Sequence, residues 1–327
     1  MGDESNMYTM ATREHWNGRI DSTTNASSFR LHQKVKLTAI DDVSTLDQSS
    51  AAIVGFKCDE GVYRNQGRVG AANGPDAIRQ ALASLPWTFH SEQQIIDVGN
   101  VTCENHALED AQLELGEIIK KIRTNKMKCI VLGGGHETLY GHYLGIRASL
   151  PNDTNIGIIN IDAHFDLRSY DVQPSSGTMF RQILEQDPHV DYFVLGIQRY
   201  GNTKELFEKA HEYQVKYILE DQITGNNPLQ LMEDLQQFMD EHDTILLTLC
   251  MDVVNAAFAP GVSAPSPFGL DPIIVRSILQ KVTTHPNTHS FDICEVNPVL
   301  DENGRTVKLG AYFVYEALNN LLRRNDK

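Results

Sequence analysis

The sequence lacks any apolar run approaching the roughly 20 residues of a membrane span, so no transmembrane segment is expected. Residues 1–29, MGDESNMYTMATREHWNGRIDSTTNASSF, contain no apolar signal core, and secretion is not expected. Positive charge is in short supply. Lys plus Arg number 28 against 43 Asp plus Glu, a formal net charge of −15. Nucleic acid and anionic membrane surfaces are poor partners for such a chain. Cysteines are few. Cys58, Cys103, Cys129, Cys250 and Cys294 are odd in number and form no C-x-x-C pair. That excludes a thiolate zinc ribbon and gives no sign of a secreted disulfide framework. A reducing, cytoplasmic setting is the expectation.

What remains is a chain of 327 residues, 41% hydrophobic, which can bury a large core. Residues 1–30 are polar and rich in Ser, Thr and Asn, and read as a flexible or loosely docked arm. From about residue 50 short apolar runs alternate with segments of helical period. The runs cover 51–56 (AAIVGF), 129–132 (CIVL), 156–161 (IGIINI), 192–197 (YFVLGI), 215–219 (VKYIL), 244–251 (TILLTLCM) and 291–296 (FDICEV). Near-continuous Ile, Val and Leu mark strands buried on both faces, as in parallel sheets. Between them, residues 74–85, 107–124, 228–242 and 271–282 read as amphipathic helices. This alternation predicts an α/β fold with a mainly parallel sheet, a single three-layer α/β/α domain. No linker or repeat divides residues 31–327, which form one expected catalytic domain.

In such sheets ligands bind beyond the carboxyl ends of the strands. There the chain places Gly133-Gly134-Gly135-His136-Glu137, Asp162-Ala163-His164-Phe165-Asp166, Cys250 with Asp252, and Glu295. Alternate residues of an extended segment share a side, so Asp162, His164 and Asp166 face one way. Charged groups straight after a buried strand need partners, and a cation is the simplest. The glycines before His136 could instead cradle a phosphate, but the Lys-Ser/Thr of a P-loop is missing. Carboxylate and imidazole ligands suit Mn²⁺, with Zn²⁺ or Fe²⁺ as alternatives.

GGGHE, NIDAHFDLR, LCMDVVNAAFAPGVSAP and EVNP, in that order, resemble the signature motifs of the ureohydrolase (arginase/agmatinase) superfamily. The resemblance runs from about residue 51 to the C-terminus. Within the superfamily, GFKCDEGVYRNQGRVGAANGPDAIR and SSGTMFRQ are most similar to the formimidoylglutamase family. Its members convert N-formimidoyl-L-glutamate to L-glutamate and formamide in histidine degradation. An agmatinase or guanidino-acid hydrolase is the alternative within the superfamily. The resemblance implies an arginase-like domain that holds a pair of Mn²⁺ ions and acts on a small molecule. Oligomers are common in the superfamily, so a homo-oligomer is among its implications. By motif position, His136, Asp162 and Asp166 would surround one metal, and His164 and Asp252 the other, with Asp162 bridging. A metal-activated hydroxide would attack the amidine carbon. Asp166 would relay a proton, and Glu295 would face the cationic head of the substrate.

Arg181 stands where arginases carry a small residue, just after a His that is Phe180 here. Loss of that His argues against arginase itself. Arg181 would bind a substrate carboxylate or simply lie at the surface. Arg64, Asn65 and Arg68 form a Gly-punctuated loop that would serve as a substrate clamp or as a solvated turn. The motif Ser-x-Asp-x-Asp-x-x-Asp-Pro becomes Thr248-Leu-Cys250-Met-Asp252-Val-Val-Asn255-Ala256, so Cys250 replaces the bridging Asp. Three outcomes are open. A thiolate bridges and shifts preference toward Zn²⁺ or Fe²⁺. The second metal binds weakly or not at all, leaving a catalytically weakened member. Or Cys250 pairs with Cys58, if their Cα atoms lie within about 7 Å.

Overall fold

A computed structural model of the chain describes residues 7–45, 50–225 and 228–323. The strands are β1 (Tyr8–Thr9), β2 (Lys36–Leu37), β3 (Ser50–Lys57), β4 (Gln94–Thr102), β5 (Lys128–Leu132), β6 (Ile156–Ile161), β7 (Val190–Ile197), β8 (Lys216–Leu219), β9 (Thr244–Cys250) and β10 (Thr288–Cys294). They make one 10-stranded sheet ordered β1-β4-β3-β5-β10-β9-β6-β7-β8, with β2 also on β4. Only β1 runs antiparallel among these pairings.

The period-2 geometry of a strand sends alternate side chains to opposite faces. On β3, Ile53 joins one apolar cluster and Ala52, Val54 and Phe56 the other. Helices Gly74–Ala83, Pro228–Asp240, Pro272–Thr283 and Arg305–Leu321 bury their apolar stripes on the first face. Helices Leu108–Thr124, Thr138–Ala148, Met179–Gln186 and Lys204–Glu212 cover the second. The three layers expected from the alternation of strand and helix are present.

Two local expectations are corrected. The arm does not hang free from Met7 onward. Tyr8–Thr9 adds a strand to β4, and the Tyr8 hydroxyl donates to the Val98 carbonyl at 2.6 Å. Trp16 is buried, and its indole N–H donates to Asp97 Oδ2 at 2.6 Å. A buried indole in reach of a carboxylate outweighs the polar composition around it. Gly99 permits this docking. Its φ is 103°, and a Cβ there would lie 2.0 Å from the Thr9 carbonyl. Residues 1–6 of the arm lie outside the described residues.

The second correction is β4, which the apolar runs do not reveal. Asp97 interrupts its pattern, fully buried. Arg79 from helix Gly74–Ala83 holds that carboxylate with two N–H groups, at 2.7 and 3.0 Å. A buried charge hidden by a distant partner erases the apolar signature of the strand.

Candidate metal centre and active site

The central strands β5, β10, β9 and β6 are neighbours, and each delivers chemistry just beyond its carboxyl end. After β5 the three glycines let the backbone pass close to two other strands. Gly135 N–H donates to the Cys58 carbonyl at 2.9 Å, and the Gly134 carbonyl accepts from Glu295 N–H at 2.8 Å. A Cβ on Gly134 would stand 1.8 Å from the Cys58 carbonyl oxygen. This turn aims His136 inward. Its Nδ1 lies 3.0 Å from Asp162 Oδ2 and 2.9 Å from Asp166 Oδ2. After β6, Ala163 and Phe165 are buried on the helix side, with Phe165 edge-on to Phe207 at 5.0 Å. Asp162, His164 and Asp166 take the other side, as the alternation requires. Asp166 reaches its position with a φ of 51°, and Glu295 with 65°, both in the left-handed region. Such backbone strain is tolerated where surrounding contacts impose it, and it concentrates at functional sites.

His136, Asp162 and Cys250 bring ligand atoms within 4.8 Å of one another, and so do Asp162, His164 and Asp252. Asp162 belongs to both groups. His164 Nδ1 is 3.2 Å from Asp252 Oδ2 and 3.6 Å from Asp162 Oδ1. Within this cluster, Asp252 Oδ1 and Glu295 Oε2 are buried and find no hydrogen-bond partner among the described residues. This donor set fits divalent cations: buried anionic oxygens facing one another are costly unless positive charge lies between them.

The electrostatics agree. Burial works against charged imidazoles at His136 and His164. The facing carboxylates Asp162, Asp166 and Asp252 nevertheless raise both well above the ordinary histidine value. Burial, then the charge of Asp162, pushes Asp166 up to about 6. Burial with the charges of Glu137 and Asp252 lifts Glu295 well above the usual carboxyl range. Cys250 is raised by burial and then by Asp162, Asp252 and Glu295. Protein alone therefore draws protons into this cluster, and a bound cation would take over their role.

His136 is also held from behind. Its Nε2 lies 3.1 Å from Thr248 Oγ1, and that hydroxyl donates to Asp292 Oδ1 at 2.6 Å. Asp292 Oδ2 in turn takes His142 Nδ1 at 2.7 Å. With Nε2 as the donor, Nδ1 keeps its lone pair for a cation.

The sequence profile of the arginase family matches residues 49–319. The chain belongs to the arginase family. A formimidoylglutamase of Lysinibacillus sphaericus is 74% identical over 317 residues, 97% of this chain and 98% of that protein. One from Geobacillus kaustophilus is 51% identical over 318 residues, again 97% and 98%. Solved structures share the fold. A Bacillus subtilis formimidoylglutamase superposes with a TM-score of 0.78 at 21% identity, covering 94% of this chain and 97% of that one. A Trypanosoma cruzi formiminoglutamase with Mn²⁺ gives 0.76 at 23%, covering 88% and 99%.

In this arginase-family chain the strand ends open into a cavity of about 330 Å³. His136, His164, Asp166, Cys250, Asp252 and Glu295 line it, together with Asn65 and Arg68. Asp162 lies beneath them, fully buried. Arg64 and Arg181, expected as substrate clamps, do not reach the lining. Arg64 is held by Glu60 at 3.0 Å and Glu109 at 2.6 Å. Arg181 pairs with Glu185 one helical turn away, at 2.9 Å. Local carboxylates satisfy both guanidinium groups before a substrate can.

The Cys58–Cys250 pairing, one of the alternatives left open for Cys250, does not form. All five cysteines are free. β3 and β9 are separated by β5 and β10, three spacings of about 4.8 Å, so their ends stand roughly 14 Å apart. Cys58 points at Glu137 Oε1, 3.7 Å away, whereas Cys250 lies with His136 and Asp162.

Sequence reasoning missed Arg168 and Ser176, both on the cavity wall. The Arg168 guanidinium donates no hydrogen bond to the described residues and forms no ion pair with them. Its only signal was nearness to the motif DAHFDLR, because the left-handed backbone at Asp166 breaks the alternation of an extended chain.

Proposed function

We infer that the chain hydrolyses N-formimidoyl-L-glutamate to L-glutamate and formamide, with a pair of Mn²⁺ ions at the strand-end cavity. The observation that carries the reading is one cavity with two opposite characters. Carboxylates and imidazoles cluster within it. A free guanidinium, Arg168, stands on the wall with Asn65 and Ser176. Near-full-length identity to formimidoylglutamases supports the same substrate.

His136, Asp162 and Asp166 would hold one ion, and His164 and Asp252 the other. Asp162 belongs to both ligand groups, and the Cys250 sulfur would serve the group of His136 and Asp162. Bound there, the ions supply Lewis acidity and bring the pKa of a water near neutrality. The unpartnered Glu295 Oε2 accepts a hydrogen bond from the cationic, planar formimino group and fixes its orientation. Asp166, hydrogen-bonded to His136, can pass a proton toward the departing nitrogen of glutamate. Arg168, Asn65 and Ser176 receive the two substrate carboxylates, which a guanidinium fork matches.

The direct test is Mn²⁺-dependent release of formamide from N-formimidoyl-L-glutamate. Urea release from arginine or agmatine in its place would overturn the substrate assignment. Arg168→Ala should raise KM roughly 10- to 100-fold with a much smaller change in kcat, the loss of charge-assisted hydrogen bonds to a carboxylate. An unchanged KM in steady-state assays would remove Arg168 from the binding site. Cys250→Asp tests the ligand role of sulfur. A carboxylate suits Mn²⁺ better than a thiolate does, so Mn²⁺ affinity should rise by roughly tenfold relative to Zn²⁺. Identical titrations for the variant and the wild type would mean that Cys250 is not a ligand.

A further inference from the structure

Glu137 follows His136, one of the candidate metal ligands, yet it is absent from the cavity lining. It is completely buried. Oε1 accepts the Gly61 N–H at 2.8 Å and the Cys58 thiol at 3.7 Å. The Glu137 carbonyl accepts Gln112 Nε2 at 2.8 Å, which pins the residue to helix Leu108–Thr124. Two glycines make room for the carboxyl group. A Cβ on Gly61 would lie 2.6 Å from its carboxyl carbon, and one on Gly135 2.1 Å from Oε2.

Gly61 is a junction. While its N–H is held by Glu137, its carbonyl accepts Asn65 N–H at 2.9 Å and Ser176 N–H at 3.1 Å. Asn65 and Ser176 both line the cavity. The next residue, Gly177, packs against the Asn65 amide and the Arg168 side chain, and its carbonyl accepts Arg168 N–H at 2.9 Å. One buried carboxylate therefore connects the turn carrying His136 to both segments that carry the lining residues Asn65, Ser176 and Arg168.

We propose that Glu137 is a positioning residue that sets the distance between the metal-binding end and the carboxylate-binding end of the cavity. It thereby tunes the site to the length of a dicarboxylate amidine. This rests on the functional reading above. A peptide N–H bonded to a carboxylate is among the stronger hydrogen bonds, and its loss leaves the loop free to drift. A small displacement of a binding wall is expressed in substrate affinity while the chemistry at the far end persists.

The experiment compares wild type, Glu137→Ala, Glu137→Gln and Gly61→Ala as Mn²⁺-loaded full-length proteins. Three measurements are taken: KM and kcat for N-formimidoyl-L-glutamate, bound Mn²⁺, and amide hydrogen exchange across residues 59–68. Glu137→Ala should raise KM about tenfold, leave kcat within about threefold and Mn²⁺ content unchanged, and speed exchange at Gly61. Glu137→Gln keeps an acceptor oxygen and should restore most of the wild-type KM. Gly61→Ala, whose Cβ pushes into the carboxyl group, should reproduce the KM effect with Glu137 intact. A wild-type KM in Glu137→Ala overturns the proposal, as does a loss of Mn²⁺ and kcat in place of affinity. Wild type that releases no formamide overturns the functional reading instead. Exchange at Gly61 then still decides whether Glu137 anchors the wall.

Discussion

Asp162→Asn should abolish turnover, lowering kcat/KM on the order of 10³-fold or more, about 4 kcal/mol of transition-state stabilisation. Bound Mn²⁺ should fall with it. The reason lies in what surrounds the carboxylate. Oδ1 accepts the His164 N–H at 2.8 Å, and Oδ2 accepts Asn160 Nδ2 at 3.1 Å. Both oxygens are acceptors, and both also face imidazoles of the ligand groups. An amide has one acceptor oxygen and one NH₂ group. Whichever way Asn is turned, a donor meets a donor, and the charge shared by the two ligand groups is gone. Elemental analysis after Mn²⁺ loading, together with formamide release, checks both halves. A variant that keeps its metal and its rate would show that Asp162 does not bridge.

Glu295→Gln should cost about 10²-fold in kcat/KM while leaving Mn²⁺ content unchanged. Glu295 Oε1 accepts the His136 N–H at 3.1 Å, and Gln can keep that bond through its own oxygen. The fold of the loop is then preserved. Only the second oxygen changes, from the unpartnered Oε2 to an NH₂ group. A cationic formimino group that met a carboxylate now meets a donor. The interaction turns from a charge-assisted hydrogen bond to a repulsive contact. Steady-state kinetics beside metal analysis separates this from ligand loss. Wild-type kinetics in the variant would mean that the amidine binds elsewhere in the cavity.

The sequence by itself determined the strand-and-helix alternation and the side on which Asp162, His164 and Asp166 fall. These are properties of single segments: the apolar period along a strand and the pleat of the chain that follows it. It also showed that Cys250 occupies an unusual position, because a motif is read along one stretch of chain. Only the tertiary structure decided which neighbour each group meets. It tied Arg64 to Glu109, and it gave Arg168 no partner among the described residues. It put Cys58 beside Glu137 and three strands from Cys250. It docked the segment around Trp16 on Asp97, a buried acid that had hidden β4 from view. The physical reason is common to all of these. Side-chain direction along a strand repeats every two residues and is local. A salt bridge, a docked indole or a thiol contact depends on strand order, which brings together residues far apart in sequence.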